Sequence, residues 1–517
     1  MFQADRCKWC AYAALVLVPL MAAPAQAEVL PWLEHKLADP FATQEKANRM
    51  ISPSLKPEGC PSWLPSPNHK LDFVEAVTLT LCHNPTTKAA YLSLLAQASS
   101  YGTNYSAYFP TVSANVNNSR STSFIYDGNG LAATTVNGVT VLTNSPTSNI
   151  ISSVNKSYGL SASWTLYDFG QREFKLEAAE QTLIAAGYSY DSTLQGAIAS
   201  ALNAYFQLLT AQNGVDVAKE SERYAKESYD AAALRHKIGL VPLADELQAR
   251  SVYSEAILAS QQADNLLSRN RAALALLMGM SADSPIQVAE LDNRLLEHDP
   301  FKGTVQSWMQ LAQQKRNDLL ASQAQIEGSK ISLQALERSD LATVSISTNL
   351  NQSNDTINVF RGGNATRTQA IGLSVSIPIF TGFSQTYNES AAHEQLEAQE
   401  DTLANTELAV EQDVWNSWHN YETAKKSWET SQNLMASATQ FKGVALGRYK
   451  EGIGSILDVL NAESQYSSAL QSNLQSRYNL LSARVDLVRA VGVLNLNSMH
   501  PDWAANPATA QTSQPER

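Results

Sequence analysis

The residues that could do chemistry in this chain are few, and their spacing argues against catalysis. The eight histidines are scattered. No nucleophile–base pair, metal-ligand grouping or phosphate-binding glycine loop is present. His83 beside Cys82 reads as an incidental neighbour rather than a ligand pair. Two aspartates do stand in matched settings. Asp245 and Asp458 each follow a glycine, Gly239 and Gly452, by six positions, in the segments RHKIGLVPLADELQA (from Arg235) and RYKEGIGSILDVLNA (from Arg448). An aspartate in the first turn of a helix complements the helix dipole from solvent. Of four cysteines, Cys7 and Cys10 fall in an N-terminal leader, which leaves Cys60 and Cys82. In an oxidising compartment this pair favours a disulfide stapling the N-terminal arm to the first helix. Two separate buried thiols are the alternative.

The leader is legible. Arg6 and Lys8 precede an apolar run, Ala11 to Ala23, and Ala25-Gln26-Ala27 has the small residues of a cleavage site. Residues 1–27 therefore read as a signal peptide, with the mature chain starting at Glu28. The run is too short to span about 30 Å of hydrocarbon. Cys7 and Cys10 lie on the wrong side of it for a lipid-modified cysteine, so no lipid anchor is expected. The formal net charge of −12 lacks the basic footprint of a nucleic-acid partner.

The elements that must position the aspartates come in two sets. Residues 28–70 carry Pro53, Pro57, Pro61, Pro65 and Pro67 and read as an extended N-terminal arm. A first unit, 71–303, opens with a short amphipathic helix, Leu71 to Leu81. Asn84-Pro85, an N-cap followed by proline at the first helical position, then starts a helix that runs to Phe109. A β-hairpin over 111–169 alternates apolar Val112, Ala114, Val116, Leu160, Ala162, Trp164 and Leu166 with serine, threonine and asparagine. Its connection, Tyr126 to Asn155, reads as a polar loop. Gln171 to Lys237 holds 67 residues without proline. At about 1.5 Å per residue that is a helix of roughly 100 Å. Leu243 to Met280 returns along it, and 281–303 is an irregular equatorial loop.

A second unit, 304–496, repeats the order. It has a short helix 305–315, a helix from Asn317, a hairpin over 343–380 with a polar loop Asn351 to Arg367, a long helix 385–450 and a return helix 456–493. Residues 497–517 read as a disordered tail. GLSVSIPIFTGF from Gly372 lies over GLSASWTLYDFG from Gly159 at an offset of 372 − 159 = 213, and the two glycine turns are offset by 448 − 235 = 213. The long helices therefore have equal length. In the strand at Gly372, Leu373, Val375, Ile377 and Ile379 point outward, and Thr381-Gly382-Phe383 is the joint to the helix, as Asp168-Phe169-Gly170 is in the first unit. The small, polar texture of the helices suits a wall wetted on both sides.

Hairpins separated by so much helix cannot form a soluble sandwich. Period-two alternation instead suits membrane strands, lipid-facing on one side. Four strands cannot close a barrel, and open edges are not tolerated in hydrocarbon. The chain must therefore oligomerise. Eight strands leave an interior filled by side chains, which argues against a dimer. Physics alone does not choose between larger rings.

The leader, the repeat, the strand–long helix–G-x-x-x-x-x-D-x-x-x-A turn–helix order and the LCHNP start at Leu81 resemble the TolC family of outer-membrane channel-tunnels, from about Leu71 to Leu496. The resemblance implies a mainly α protein with membrane β. Four transmembrane strands and two long helical hairpins per protomer would assemble as a homotrimer, a 12-stranded β-barrel joined to an α-helical barrel. It implies an outer-membrane location in a Gram-negative bacterium, with the helices in the periplasm and the strand loops outside. The implied partners are outer-membrane lipid, a periplasmic adaptor, and an inner-membrane transporter that is ABC-type or proton-driven. It implies a passive, non-enzymatic duct with no cofactor. By the same resemblance Gly239 and Gly452 end the long helices at the periplasmic tip. Asp245 and Asp458 face the pore, and Tyr449 helps latch the closed entrance. Asp458 repeated in a trimer would form a carboxylate ring favouring cations. Two departures weaken lock and filter: Gly454 stands where better-known members carry arginine, and Asn461 where they carry a second pore aspartate. The missing lipid cysteine separates the chain from lipid-anchored drug-efflux relatives, while the N-terminal cysteine and the LCHNP cysteine resemble members serving type I protein secretion; multidrug efflux is the alternative. A trimeric structural coiled-coil surface protein would explain the helices but not the matched hairpins.

Overall fold

The computed structural model of the chain describes residues 39–57, 59–60, 69–127, 131–136, 139–144, 147–291, 301, 303–357 and 363–496. The signal peptide, residues 28–38 of the arm and the tail 497–517 lie outside them.

Two helices of 67 residues dominate, α4 (Gln171–Lys237) and α8 (Ser384–Lys450). Each ends in basic residues, Arg235, His236 and Lys237 in one and Arg448 and Lys450 in the other, which complement the helix dipole. Each is followed by a return helix, α5 (Leu243–Leu277) and α9 (Ile456–Val491), packed along it as a hairpin. Ahead of the strands in chain order, and packed against the long helices, come α2 (Phe73–His83) and α3 (Pro85–Ser106) in the first half, and α6 (Val305–Lys315) and α7 (Asn317–Glu337) in the second. Asn84 caps α3: its side-chain oxygen accepts from the Thr86 amide at 2.7 Å, and its amide nitrogen donates to Leu277 O at 2.8 Å. One asparagine thus starts a short helix and holds the end of a return helix. No described helix is long and apolar enough to cross a membrane.

Four strands, β2 (Thr111–Asp127), β5 (Thr147–Tyr167), β7 (Thr343–Ile357) and β8 (Gly363–Ser376), form one antiparallel sheet in that order. Between β2 and β5, β3 (Leu131–Val136) and β4 (Val139–Asn144) form a separate hairpin. The register of the four-stranded sheet puts Leu373 beside Ile346 and Ile346 beside Trp164 on one face. On the other face hydroxyls pair across strands, Ser113 with Ser161 and Ser345 with Ser374, both at 2.8 Å. Val116, Ile371, Leu373 and Val375 are all exposed. Within this chain β2 and β8 are edge strands.

Three sequence readings need correction. The arm contains α1 (Thr43–Met50) rather than being extended throughout. Asp39 starts it by accepting from the amides of Thr43 and Gln44 at 2.9 and 2.8 Å, and the prolines that suggested irregularity all come later. The segments read as polar loops, 126–155 and 351–367, are largely strand, because ladder bonds join backbone groups and do not require alternating side chains. β8 stops at Ser376, so Ile377 and Ile379 are exposed on a connector and not on the strand. Pro378, with no N–H for a ladder, fits that end.

The main core lies near mid-helix. Leu194, Ile198, Leu202, Tyr205 and Leu209 of α4 pack with Val77 and Leu81 of α2, Val410, Val414 and Tyr421 of α8, and Tyr478, Leu481 and Leu487 of α9. A parallel two-stranded ribbon of β1 (Lys70–Leu71) and β6 (Gln287–Val288) is tied to this core by the Tyr205 hydroxyl, 3.1 Å from Leu71 O and 2.7 Å from Ala289 O. α1 sits in the groove of α3 and α4. There a Cβ on Gly187 would meet Met50 Cβ at 2.9 Å and one on Gly102 would meet Thr43 Cγ2 at 3.0 Å, so both glycines are notches for the strap. Cys60 and Cys82 are bonded, which fastens the end of that strap to α2.

Candidate functional site

The end of the helical hairpins is built by two matching turns. Gly239 and Gly452 are left-handed, with φ of +79° and +75°. Beyond each, an amide reaches back to the last helical turn: Leu240 N donates to Arg235 O at 2.9 Å, and Ile453 N to Arg448 O at 3.0 Å. This is a Schellman closure, in which glycine takes the left-handed position at little steric cost. α9 then starts with a capping box. The Ser455 amide donates to Asp458 Oδ2 and the Asp458 amide to Ser455 Oγ, both at 3.1 Å. The bond from the Ser455 amide, helped by the Ser455 hydroxyl and the Arg448 charge, holds the Asp458 carboxyl below its ordinary value. It stays ionised while remaining fully exposed to solvent.

Asp458 and Asn461, three residues apart, are exposed on one face of α9. Asp245 occupies the matching first-turn position of α5, half-buried, with its amide 3.2 Å from Pro242 O. Tyr449 is placed differently from these exposed or half-buried residues. It is 9% exposed and packs with Ala232, Ala249, Ile456, Val459 and Leu460, between the two hairpins of its own chain. The Arg235 guanidinium lies 4.2 Å from its ring centroid, and its buried hydroxyl has no hydrogen-bond partner among the described residues. Gly454 is half-buried, and a Cβ there would stand 3.1 Å from Arg448 Cβ and Tyr449 N. A larger residue would have to push the turn away from the long helix.

Sequence reasoning missed Arg235 and Ser455. Arg235 could have been found, since Arg448 occupies the same place in the second turn. It also missed the fastening at the other end of α4. Arg172 Nε binds Asp168 Oδ2 at 2.8 Å, and its Nη1 donates to Ala107 O and Thr165 O at 3.1 and 2.8 Å. One guanidinium therefore joins α3, β5 and α4. At the corresponding position Gln385 donates to Leu336 O of α7 at 2.7 Å. Both joints use two consecutive left-handed residues, Phe169 and Gly170 in one and Gly382 and Phe383 in the other.

An amphipathic sheet with free edges, set on long helical hairpins that end in matched glycine turns, defines a subunit of an outer-membrane channel. The chain belongs to the outer membrane efflux protein family, whose pattern it matches over residues 76–280 and 308–493. TolC proteins are among its relatives. It is 26% identical over 465 residues to Protein CyaE of Bordetella pertussis, covering 87% of this chain and 91% of that one. It is 23% identical over 430 residues to the probable efflux pump outer membrane protein TtgC of Pseudomonas putida, covering 82% and 83%. The CmeC outer-membrane channel of Campylobacter jejuni superposes with a TM-score of 0.66 at 18% identity, covering 88% of this chain and 95% of that one.

Proposed function

We propose that three copies of this chain form an outer-membrane exit duct that passively conducts cargo delivered by an inner-membrane transporter and a periplasmic adaptor. The observation that carries this is the sheet. Four strands with one apolar and one hydroxyl face cannot stand alone in a bilayer, and three copies supply twelve strands and no edge. The hairpins then form the periplasmic wall, with Asp458 and Asn461 lining the entrance. An ionised Asp458 in each copy favours cations over anions and binds basic segments of cargo or plug. Signal cleavage before Glu28, without lipidation, belongs to the same reading.

The cargo is protein, by a type I secretion route. Support comes from Cys82 in the LCHNP start, tied to Cys60. Small-molecule efflux is the second reading, favoured by the likeness to TtgC. One measurement tests the duct and a second separates the two cargoes. Outer-membrane fractionation with native mass should give a trimer; a soluble monomer refutes the duct. Deleting the gene should empty the culture supernatant of one secreted protein with little change in dye and detergent susceptibility; the opposite pattern refutes the protein cargo and leaves efflux.

A further inference from the structure

Between the thick mid-helix core and the small tip cluster, α4 and α9 meet along a polar seam. From Val215 to Ala232 the only buried α4 side chain between those two is Ala225. Three contacts hold this stretch. Ser221 Oγ faces Ser467 Oγ at 2.9 Å, and Ser228 Oγ reaches Glu463 Oε2 at 3.4 Å. The third involves a third helix. Lys442 of α8 places its ammonium 3.4 Å from the ring centroid of Tyr224 on α4 and 4.3 Å from that of Tyr466 on α9. Among the described residues no carboxylate comes within ion-pair distance of it. A second cation shares the Tyr224 ring: the Arg223 guanidinium lies 4.3 Å from its centroid and 2.8 Å from Glu227.

A lysine enclosed by two rings differs from a surface lysine. Aromatic faces attract a cation through their quadrupole, more strongly once water is excluded. Burial, with the nearby Arg223 charge, lowers the Lys442 ammonium from its ordinary value although Glu463, Glu220 and Glu227 favour its charge. Burial likewise pushes the Glu463 carboxyl up. Both groups are therefore partly stripped of water at the same seam, and the lysine is held by rings from both hairpins.

We propose that Lys442, clasped by Tyr224 and Tyr466, is a pin that locks the α8–α9 hairpin to α4 and thereby sets the aperture of the hairpin tips. The seam suits that task. An apolar seam would resist separation over its whole length, whereas one cation between two rings gives way when the hairpins part by a few ångströms. The pin lies between the core and the tip, so a small rotation there becomes a larger displacement at Gly239 and Gly452. The proposal rests on the reading of the chain as a channel subunit, which wild-type conductance checks independently.

The test is single-channel recording of the full-length protein in planar bilayers. Lys442→Gln should raise the mean conductance or the occupancy of the wider level by about tenfold, the order expected for losing a partly desolvated cation–π clasp. Lys442→Arg, which keeps the cation, should stay near wild type. Tyr466→Leu should reproduce the Gln variant, and serves in its place if Lys442→Gln does not assemble. Introducing Ser221→Cys with Ser467→Cys and oxidising should return the Lys442→Gln channel to the wild-type level, reversed by reductant, with the native mass unchanged throughout. Wild-type conductance in Lys442→Gln and Tyr466→Leu, or an altered conductance that the cross-link does not correct, overturns the pin. No conductance from the wild type overturns the channel reading instead.

Discussion

Replacing Arg316 with methionine tests how the second half of the wall is fixed at mid-height. Arg316 joins α6 to α7. It grips Asp318 with two nitrogens, Nε at 3.0 Å and Nη2 at 2.6 Å, and reaches Asp413 of α8 with Nη1 at 2.7 Å. The same Nη1 lies 3.2 Å from Ala490 O of α9. The side chain is 15% exposed, against 35% for Asp318 and 32% for Asp413. Methionine keeps the stem and removes the charge, leaving Asp318 half-buried without its partner. Asp413 keeps Arg489, 3.6 Å away. Removing one member of a buried pair destabilises by about 3–5 kcal/mol; partial exposure of the carboxylates lowers this to about 2–3 kcal/mol. With an unfolding entropy of about 2.1 cal/mol/K per residue over this chain, the midpoint should fall by about 2–3 °C if it unfolds as one unit.

The pH dependence makes this specific. Burial raises the Asp318 carboxyl, but the hydrogen bonds and charge of Arg316 outweigh it, and the net shift is downward from 3.8. A depressed folded-state pKa contributes stability above the unfolded value and loses it as pH falls through the folded value. The gap between wild type and Arg316→Met should therefore be constant from pH 7 to about 5 and close below about pH 4. Thermal unfolding of the detergent-solubilised protein, followed by circular dichroism, measures it. A gap that persists unchanged at pH 3, or is absent at pH 7, would refute the reasoning.

Three further outcomes are expected. Asp458→Ala should remove one half of the α9 capping box and shift the reversal potential toward lower cation preference; unchanged selectivity would remove Asp458 from the pore. Gly187→Val should force α1 off its groove at a cost of about 1–3 kcal/mol, seen as faster proteolysis of residues 43–56 while β5 and α4 remain protected. Cys82→Ser should lower stability by about 3 kcal/mol at most through the lost 22-residue link, and reductant should do the same to the wild type but not to the variant.

Much of the site was readable because it is local. A left-handed turn after a helix calls for glycine, so Gly239 and Gly452 announce themselves, and a first-turn Asp458 follows from the same segment. Asp458 also shows the limit, since its capping partner Ser455 was overlooked though it stands three residues away. Tyr449 could be located at the tip from sequence, but not its burial between hairpins under Arg235, which depends on how two distant helices meet. The strand ends failed for a related reason. Alternation reports only where one face meets a different medium, and the ladders of β5 and β7 run past that stretch.

By itself, then, the sequence determined the lengths that must match. Two proline-free runs of 67 residues, closed by glycine turns 213 positions apart, leave hairpins as the compact solution, since 3.6-residue periodicity and turn chemistry act within a few residues. The tertiary structure alone decided the convergences. Met50 against Gly187, Arg316 among three helices, and Lys442 between Tyr224 and Tyr466 each join residues far apart in the chain. Nothing in the local pattern of a glycine, an arginine or a lysine marks which distant partner it will meet; packing of the long helices sets that.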